Sequence, residues 1–194
     1  MAASPAMSGV EIVSVAFGLV SIWLARAQNV WTWPTGIANV ALQLVVVLGA
    51  RIYLDAGLQV VFLVLSVYGW WQWLRPGAAH RELPVTRLGA AGALLVAATC
   101  LAGTLGLGAL ARGTGAAYPW GSAVSTALSL VAQFLLARKV LENWLLWIPA
   151  DVLLVGMYAS SRLYWLAGLY LVYLVLATSG FLAWRKSSRA PQAA

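Results

Sequence analysis

The chain has 194 residues, of which 62% are hydrophobic and only 9% charged, so it lacks the polar surface that a soluble domain of this size requires. Its net charge of +7 does not indicate nucleic acid, because the basic residues are spread loop by loop between apolar runs. One cysteine and one histidine exclude disulfide frameworks within the chain and leave no cluster for a metal or cofactor.

Seven apolar runs suit the roughly 30 Å core of a bilayer, which takes about 20 helical residues, and predict an all-α membrane protein. The first helix, near Val10–Ala25, follows a Met1–Gly9 stretch without the basic start of a signal peptide. Its Glu11, Ser14, Gly18 and Ser21 share one face. The second, Gly36–Ile52, follows Trp33-Pro34-Thr35 and sets Asn39 and Gln43 one turn apart. The third, Leu54–Trp73, does the same with Tyr68 and Gln72 beside Trp70, Trp71 and Trp73.

Pro76-Gly77 then opens a charged loop in which His80 reads as a solvated side chain. The fourth helix, Leu88–Leu110, is rich in glycine, which permits close helix contact. Breakers at Arg112-Gly113-Thr114-Gly115 and Pro119 precede the fifth, Trp120–Ala137, where Ser122, Ser125, Ser129 and Gln133 make a second polar stripe. The two stripes suggest a common path.

The sixth helix, Trp144–Tyr158, is the shortest, and Pro149 could shift or kink it. It carries Trp144, Trp147, Asp151 and Tyr158 on one face, with Asp151 too deep for a short side chain to reach bulk water. The seventh is Leu163–Trp184. Trp31, Trp70, Trp120, Trp165 and Trp184 are expected at headgroup level.

Trp33–Trp73 pairs without gaps with Trp144–Trp184, 111 residues later, giving 14 identities in 41 positions; they include Arg51/Arg162, Tyr53/Tyr164 and Gly69/Gly180. A three-helix unit crosses a membrane an odd number of times, so two parallel copies need one connecting helix. The expected architecture is 3+1+3: residues 1–87 as the first repeat with its following loop, 88–111 as connector, 112–186 as the second repeat and 187–194 as a disordered tail. Seven spans place nine basic residues on one side (Arg26, Arg75, Arg81, Arg87, Arg138, Lys139, Arg185, Lys186, Arg189) and Arg51, Arg112 and Arg162 on the other. The positive-inside rule then puts the C-terminus in the cytoplasm and the N-terminus outside.

Aromatic faces with amides and a carboxylate suit a flat, polar solute, neutral or cationic, and an aromatic face favours the cation. An enzyme is disfavoured, since the spans hold no histidine and only widely spaced carboxylates, and no ring of charges marks a channel.

Four segments carry a resemblance to the PnuC family of bacterial vitamin transporters: Asn29-Val30-Trp31-Thr32-Trp33-Pro34-Thr35-Gly36-Ile37-Ala38-Asn39-Val40, Tyr68-Gly69-Trp70-Trp71-Gln72-Trp73, Ala132-Gln133-Phe134-Leu135-Leu136-Ala137-Arg138-Lys139 and Glu142-Asn143-Trp144-Leu145-Leu146-Trp147. It covers about Glu11 to Trp184. The resemblance implies a SWEET-like fold, a homotrimer in the bacterial inner membrane, and facilitated diffusion of nicotinamide riboside drawn forward by cytoplasmic phosphorylation. It also implies substrate positions at Trp33, Asn39, Tyr68, Gln72, Gln133, Trp144, Trp147 and Asp151, to which helical phase adds Gln43 and Tyr158. Members often carry asparagine where this chain has Asp151, and an acidic residue where it has Gly121 and Ser122. Related subfamilies are thought to carry thiamine or riboflavin, and thiamine, also a flat cation, is the nearest alternative.

Overall fold

The computed structural model describes residues 9–75, 83–113 and 118–189. Among them are seven helices and no strand: α1 Gly9–Arg26, α2 Thr32–Gly49, α3 Tyr53–Leu74, α4 Ala90–Ala111, α5 Pro119–Ala137, α6 Asn143–Ser160 and α7 Tyr164–Ser187. His80, Pro76-Gly77, Thr114, Gly115, the first eight residues and the tail beyond Arg189 lie outside the described residues.

Six of these helices are long and apolar enough to cross a membrane. α6 falls short by composition, since its 18 residues include Asn143, Pro149 and Asp151. Pro149 stands inside α6 without ending it, and α6 packs against both α5 and α7. α2 starts at Thr32, four residues before the expected Gly36, because Pro34 falls in the first turn, where its missing N–H has no intrahelical partner to lose.

Helix contacts close a ring in the order α1, α2, α3, α5, α6, α7 and back to α1, while α4 lies outside and packs on α5 alone. That contact is close: Gly108 lies against the Trp120 ring and Gly103 against Ala127. The segment after residue 82 is tied to the α5–α6 turn. Thr86 bridges Val140, the Leu88 N–H donates to Glu142 Oε2 at 3.0 Å, and Arg87 pairs with Glu142 at 3.5 Å.

The 111-residue offset reappears in the backbone. Gln28, Arg51, Lys139 and Arg162 have φ of 57°, 59°, 51° and 59°, and the last two follow the first two by that offset. Each closes a helix C-terminus in the same way. The N–H of the left-handed residue returns to the carbonyl three back (Gln28 to Ala25, Arg51 to Leu48, Lys139 to Leu136, Arg162 to Ala159), and the next N–H returns five back (Asn29 to Leu24, Ile52 to Val47, Val140 to Leu135, Leu163 to Tyr158). These are Schellman ends built without glycine.

Candidate functional site

Tryptophan packing closes the ring at the end where α2 and α6 begin and α3 and α7 finish. Trp33 and Trp144, each 2% exposed, lie over Gly69 and Gly180, where a Cβ would collide with the indole. Trp33 meets Trp73 edge-on at 5.4 Å, Trp144 meets Trp184 edge-on at 5.5 Å, and Trp73 and Trp184 join the two pairs at 6.2 Å. The bonds that tie this end are reciprocal: Trp73 Nε1 donates to the Ala137 carbonyl at 3.1 Å, and Trp184 Nε1 to the Ala25 carbonyl at 3.0 Å.

Trp184 is thus fully buried, and the expectation that it belongs to a headgroup belt is corrected. Its ring is drawn inward by the bond to Ala25. Trp31, Trp70, Trp120 and Trp165 are at least a third exposed. The indole nitrogens of Trp33 and Trp144 form no hydrogen bond, so packing alone holds those rings. Tyr68 and Trp147 pack against the edge of the cluster, and Tyr68 also stacks on Phe134 at 6.2 Å.

The middle of the ring is polar. Asn39, about 10 Å along α2 from Thr32 at 1.5 Å per residue, donates through Nδ2 to the Ser14 carbonyl at 2.7 Å and to Ser14 Oγ at 3.1 Å. Ser14 Oγ donates to the Asn39 carbonyl at 3.2 Å. Two helical turns on, Ser21 Oγ donates to the Thr32 carbonyl at 2.8 Å and Thr32 Oγ1 to the Ser21 carbonyl at 2.9 Å. The α1 stripe therefore joins α1 to α2. Gly18 completes it, and a Cβ there would stand 2.8 Å from the Tyr173 hydroxyl and 3.1 Å from Asn39 Nδ2. Tyr173 of α7 and Asn39 of α2 thus meet over α1.

Asp151 stands about 12 Å along α6 from Asn143, only 4% exposed, with no hydrogen bond or ion pair among the described residues. Tyr170 and Tyr173 of α7 are within its electrostatic reach. Tyr158 stacks on Tyr170 at 5.3 Å, and Tyr170 meets Tyr173 edge-on at 5.5 Å. Gln133 Nε2 donates to Ser66 Oγ at 3.2 Å, linking α5 to α3. Gln43 and Gln72 are half-buried.

The expected site residues therefore fall into groups. Asn39, Asp151 and Tyr158 gather through Tyr170 and Tyr173, which sequence reasoning passed over although they are spaced i, i+3 on one face of α7. Trp33, Trp144, Trp147 and Tyr68 belong to or border the tryptophan closure. Gln133 forms a separate link with Ser66. A cavity of about 470 Å³ opens beyond the tryptophan end, lined by Asn29, Trp31, Trp73 and Lys139 among others.

Residues 8–186 match the family model described as nicotinamide mononucleotide transporter. The chain is 27% identical over 209 aligned positions to the nicotinamide riboside transporter PnuC of Escherichia coli, covering 94% of this chain and 87% of that one. It is also 27% identical over 189 positions to the riboflavin/roseoflavin transporter RibM of Streptomyces davaonensis, covering 92% and 85%. The crystal structure of the vitamin B3 transporter PnuC superposes with a TM-score of 0.75 at 22% identity, over 93% of this chain and 82% of that one.

Proposed function

The chain belongs to the nicotinamide mononucleotide transporter family, a multi-pass membrane transporter and not an enzyme, and on that premise we propose that it carries nicotinamide riboside. Asp151 carries the reading. A carboxylate at the centre of a membrane helix costs about 2.5 to 3.5 kcal/mol on insertion scales, and among the described residues no protein cation offsets it. A cationic pyridinium ring would offset it during passage. Trp147, one turn before Asp151 on α6, would support the ring, while Asn39, Gln72 and Gln133 would bind carboxamide and ribose.

Transport would be facilitated diffusion into a bacterial cell across the inner membrane, with the N-terminus outside and phosphorylation in the cytoplasm trapping the product. The matching turns support reading α1–α3 and α5–α7 as the two repeats of a 3+1+3 protein, with α4 as connector. Alternating access would rock one repeat against the other about the pseudo-axis, opening and closing the tryptophan end. A homotrimer is the assembly expected on this reading.

Likeness to RibM favours a second reading, an uncharged flavin, but the unpaired Asp151 would give a neutral ring no advantage. Thiamine, a flat cation, satisfies the same physics. Uptake of labelled nicotinamide riboside into liposomes tests the reading, with thiamine and riboflavin as competitors. Protein-dependent uptake that neither blocks is expected; no uptake, or complete block by thiamine or riboflavin at equal concentration, contradicts it.

A further inference from the structure

Between the start of α3 and the end of α6 on one side and the buried Asp151 on the other lies a line of tyrosines to which the proposed binding of the riboside assigns no role. Tyr158 stands near the end of α6, about 22 Å along the helix from Asn143, within electrostatic reach of the exposed Asp55 in the first turn of α3. Its ring stacks on Tyr170, and Tyr170 stands at 87° to Tyr173, so two orthogonal ring faces form a corner. The Tyr173 hydroxyl closes the corner over Gly18 beside Asn39, with Asp151 within reach of both α7 tyrosines. Carboxylate, three aromatic rings and a second carboxylate thus follow one another from the helix ends to the middle of the ring.

We propose that Tyr158, Tyr170 and Tyr173 form a cation-selective aromatic cage between Asp55 and Asp151, through which the positively charged ring of the solute reaches the centre of the protein. Aromatic faces attract a cation through the ring quadrupole, most strongly where water is excluded. The tyrosines therefore discriminate by charge and not by shape. This rests on the reading of the chain as a carrier of a flat cation and adds the residues that select its charge.

Nicotinamide riboside and its reduced dihydro form have nearly the same shape and differ by one positive charge, so their relative affinity isolates the charge. Isothermal titration of both against the purified full chain measures it. The wild type is expected to prefer the cationic form. Tyr170→Leu and Tyr173→Leu should each reduce that preference about threefold to thirtyfold, while Tyr170→Phe and Tyr173→Phe, which keep the ring, should retain it. Because the measurement is a ratio within each variant, loss of folded protein does not imitate the effect.

An unchanged preference in both leucine variants, or an equal loss in the phenylalanine variants, overturns the cage. A wild type that binds both forms equally also overturns it, yet leaves transport of nicotinamide riboside standing. If the wild type binds thiamine and neither form of the riboside, the substrate assignment fails instead. Thiamine titration of the same variants then decides the cage, and unchanged thiamine affinity in the leucine variants overturns it.

Discussion

Asp151 differs from Asn39 and Gln133, whose side chains have hydrogen-bond partners where its carboxylate has none among the described residues. Asn39 is held by two hydrogen bonds to Ser14, and Gln133 by one to Ser66, so part of their polarity is already used in joining helices, as is usual for amides between membrane helices. Asp151→Asn should therefore lower affinity for nicotinamide riboside by roughly tenfold or more, the loss of a charge–charge attraction away from bulk water, and leave the thermal melting point equal or higher, because an uncompensated buried charge is removed. Titration and a melting curve on the same preparation check this; unchanged affinity would mean that the charge does not touch the solute. Asn39→Leu should instead cost about 0.6 to 1.7 kcal/mol of stability, the range for hydrogen bonds between membrane helices, read as a lower melting point. Asp151 was legible in the sequence because a charged residue within an apolar run needs a reason. Tyr170 and Tyr173 were not, since tyrosines in a membrane helix read equally well as headgroup residues. Only the neighbouring helix decides which way they face.

At the scale of elements, the duplicated wedge of indole over glycine fixes how α2 packs on α3 and α6 on α7. Gly180→Val should push Trp144 out of place and cost about 1 to 3 kcal/mol, the usual range for overpacking, with Gly69→Val acting alike on Trp33. Unfolding in detergent measures both; a melting point equal to wild type would refute the wedge. The matched helix ends make a finer test. A non-glycine residue in the left-handed region costs roughly 1 to 2 kcal/mol, so Arg162→Gly should raise the melting point and Arg162→Val lower it. The helices themselves were readable from hydropathy to within a few residues. The α1 stripe was readable as a face but not as a destination: Ser14 and Ser21 bond to α2, because serine that serves a path and serine that joins helices have the same spacing. Trp184 was misplaced for a related reason. An indole near a helix end suits a headgroup belt until the Ala25 carbonyl across the ring takes its N–H.

For the whole molecule, a closed ring of six helices with tryptophan packing at one end and a carboxylate in the middle suits a carrier that is shut on one side. The basic residues Arg26, Arg75, Arg138, Lys139 and Arg185 lie at that tryptophan-packed end, where the helices that carry or precede them terminate, so under the orientation we propose from the positive-inside rule it would be the cytoplasmic end. A fluorescent protein fused after Ala194 should fold and fluoresce, whereas an alkaline phosphatase fused there should be inactive; the reverse result would invert the topology. The matching helix ends and glycine contacts were legible from residues such as Arg51/Arg162 and Gly69/Gly180, since a left-handed helix end and a close helix approach constrain residue type strongly. The asymmetric contents of the ring were not, because Asp151 matches Val40 and Tyr173 matches Phe62 under the same offset.

If a positive ring is held beside Asp151, within the corner of Tyr170 and Tyr173, as we propose, a structure of the protein with nicotinamide riboside bound will show it. Density for the pyridinium is expected against those three side chains, at the level of Asn39. Density elsewhere with Asp151 still lacking a cation, or an arginine or lysine of the protein turned in to pair with that carboxylate, would contradict it.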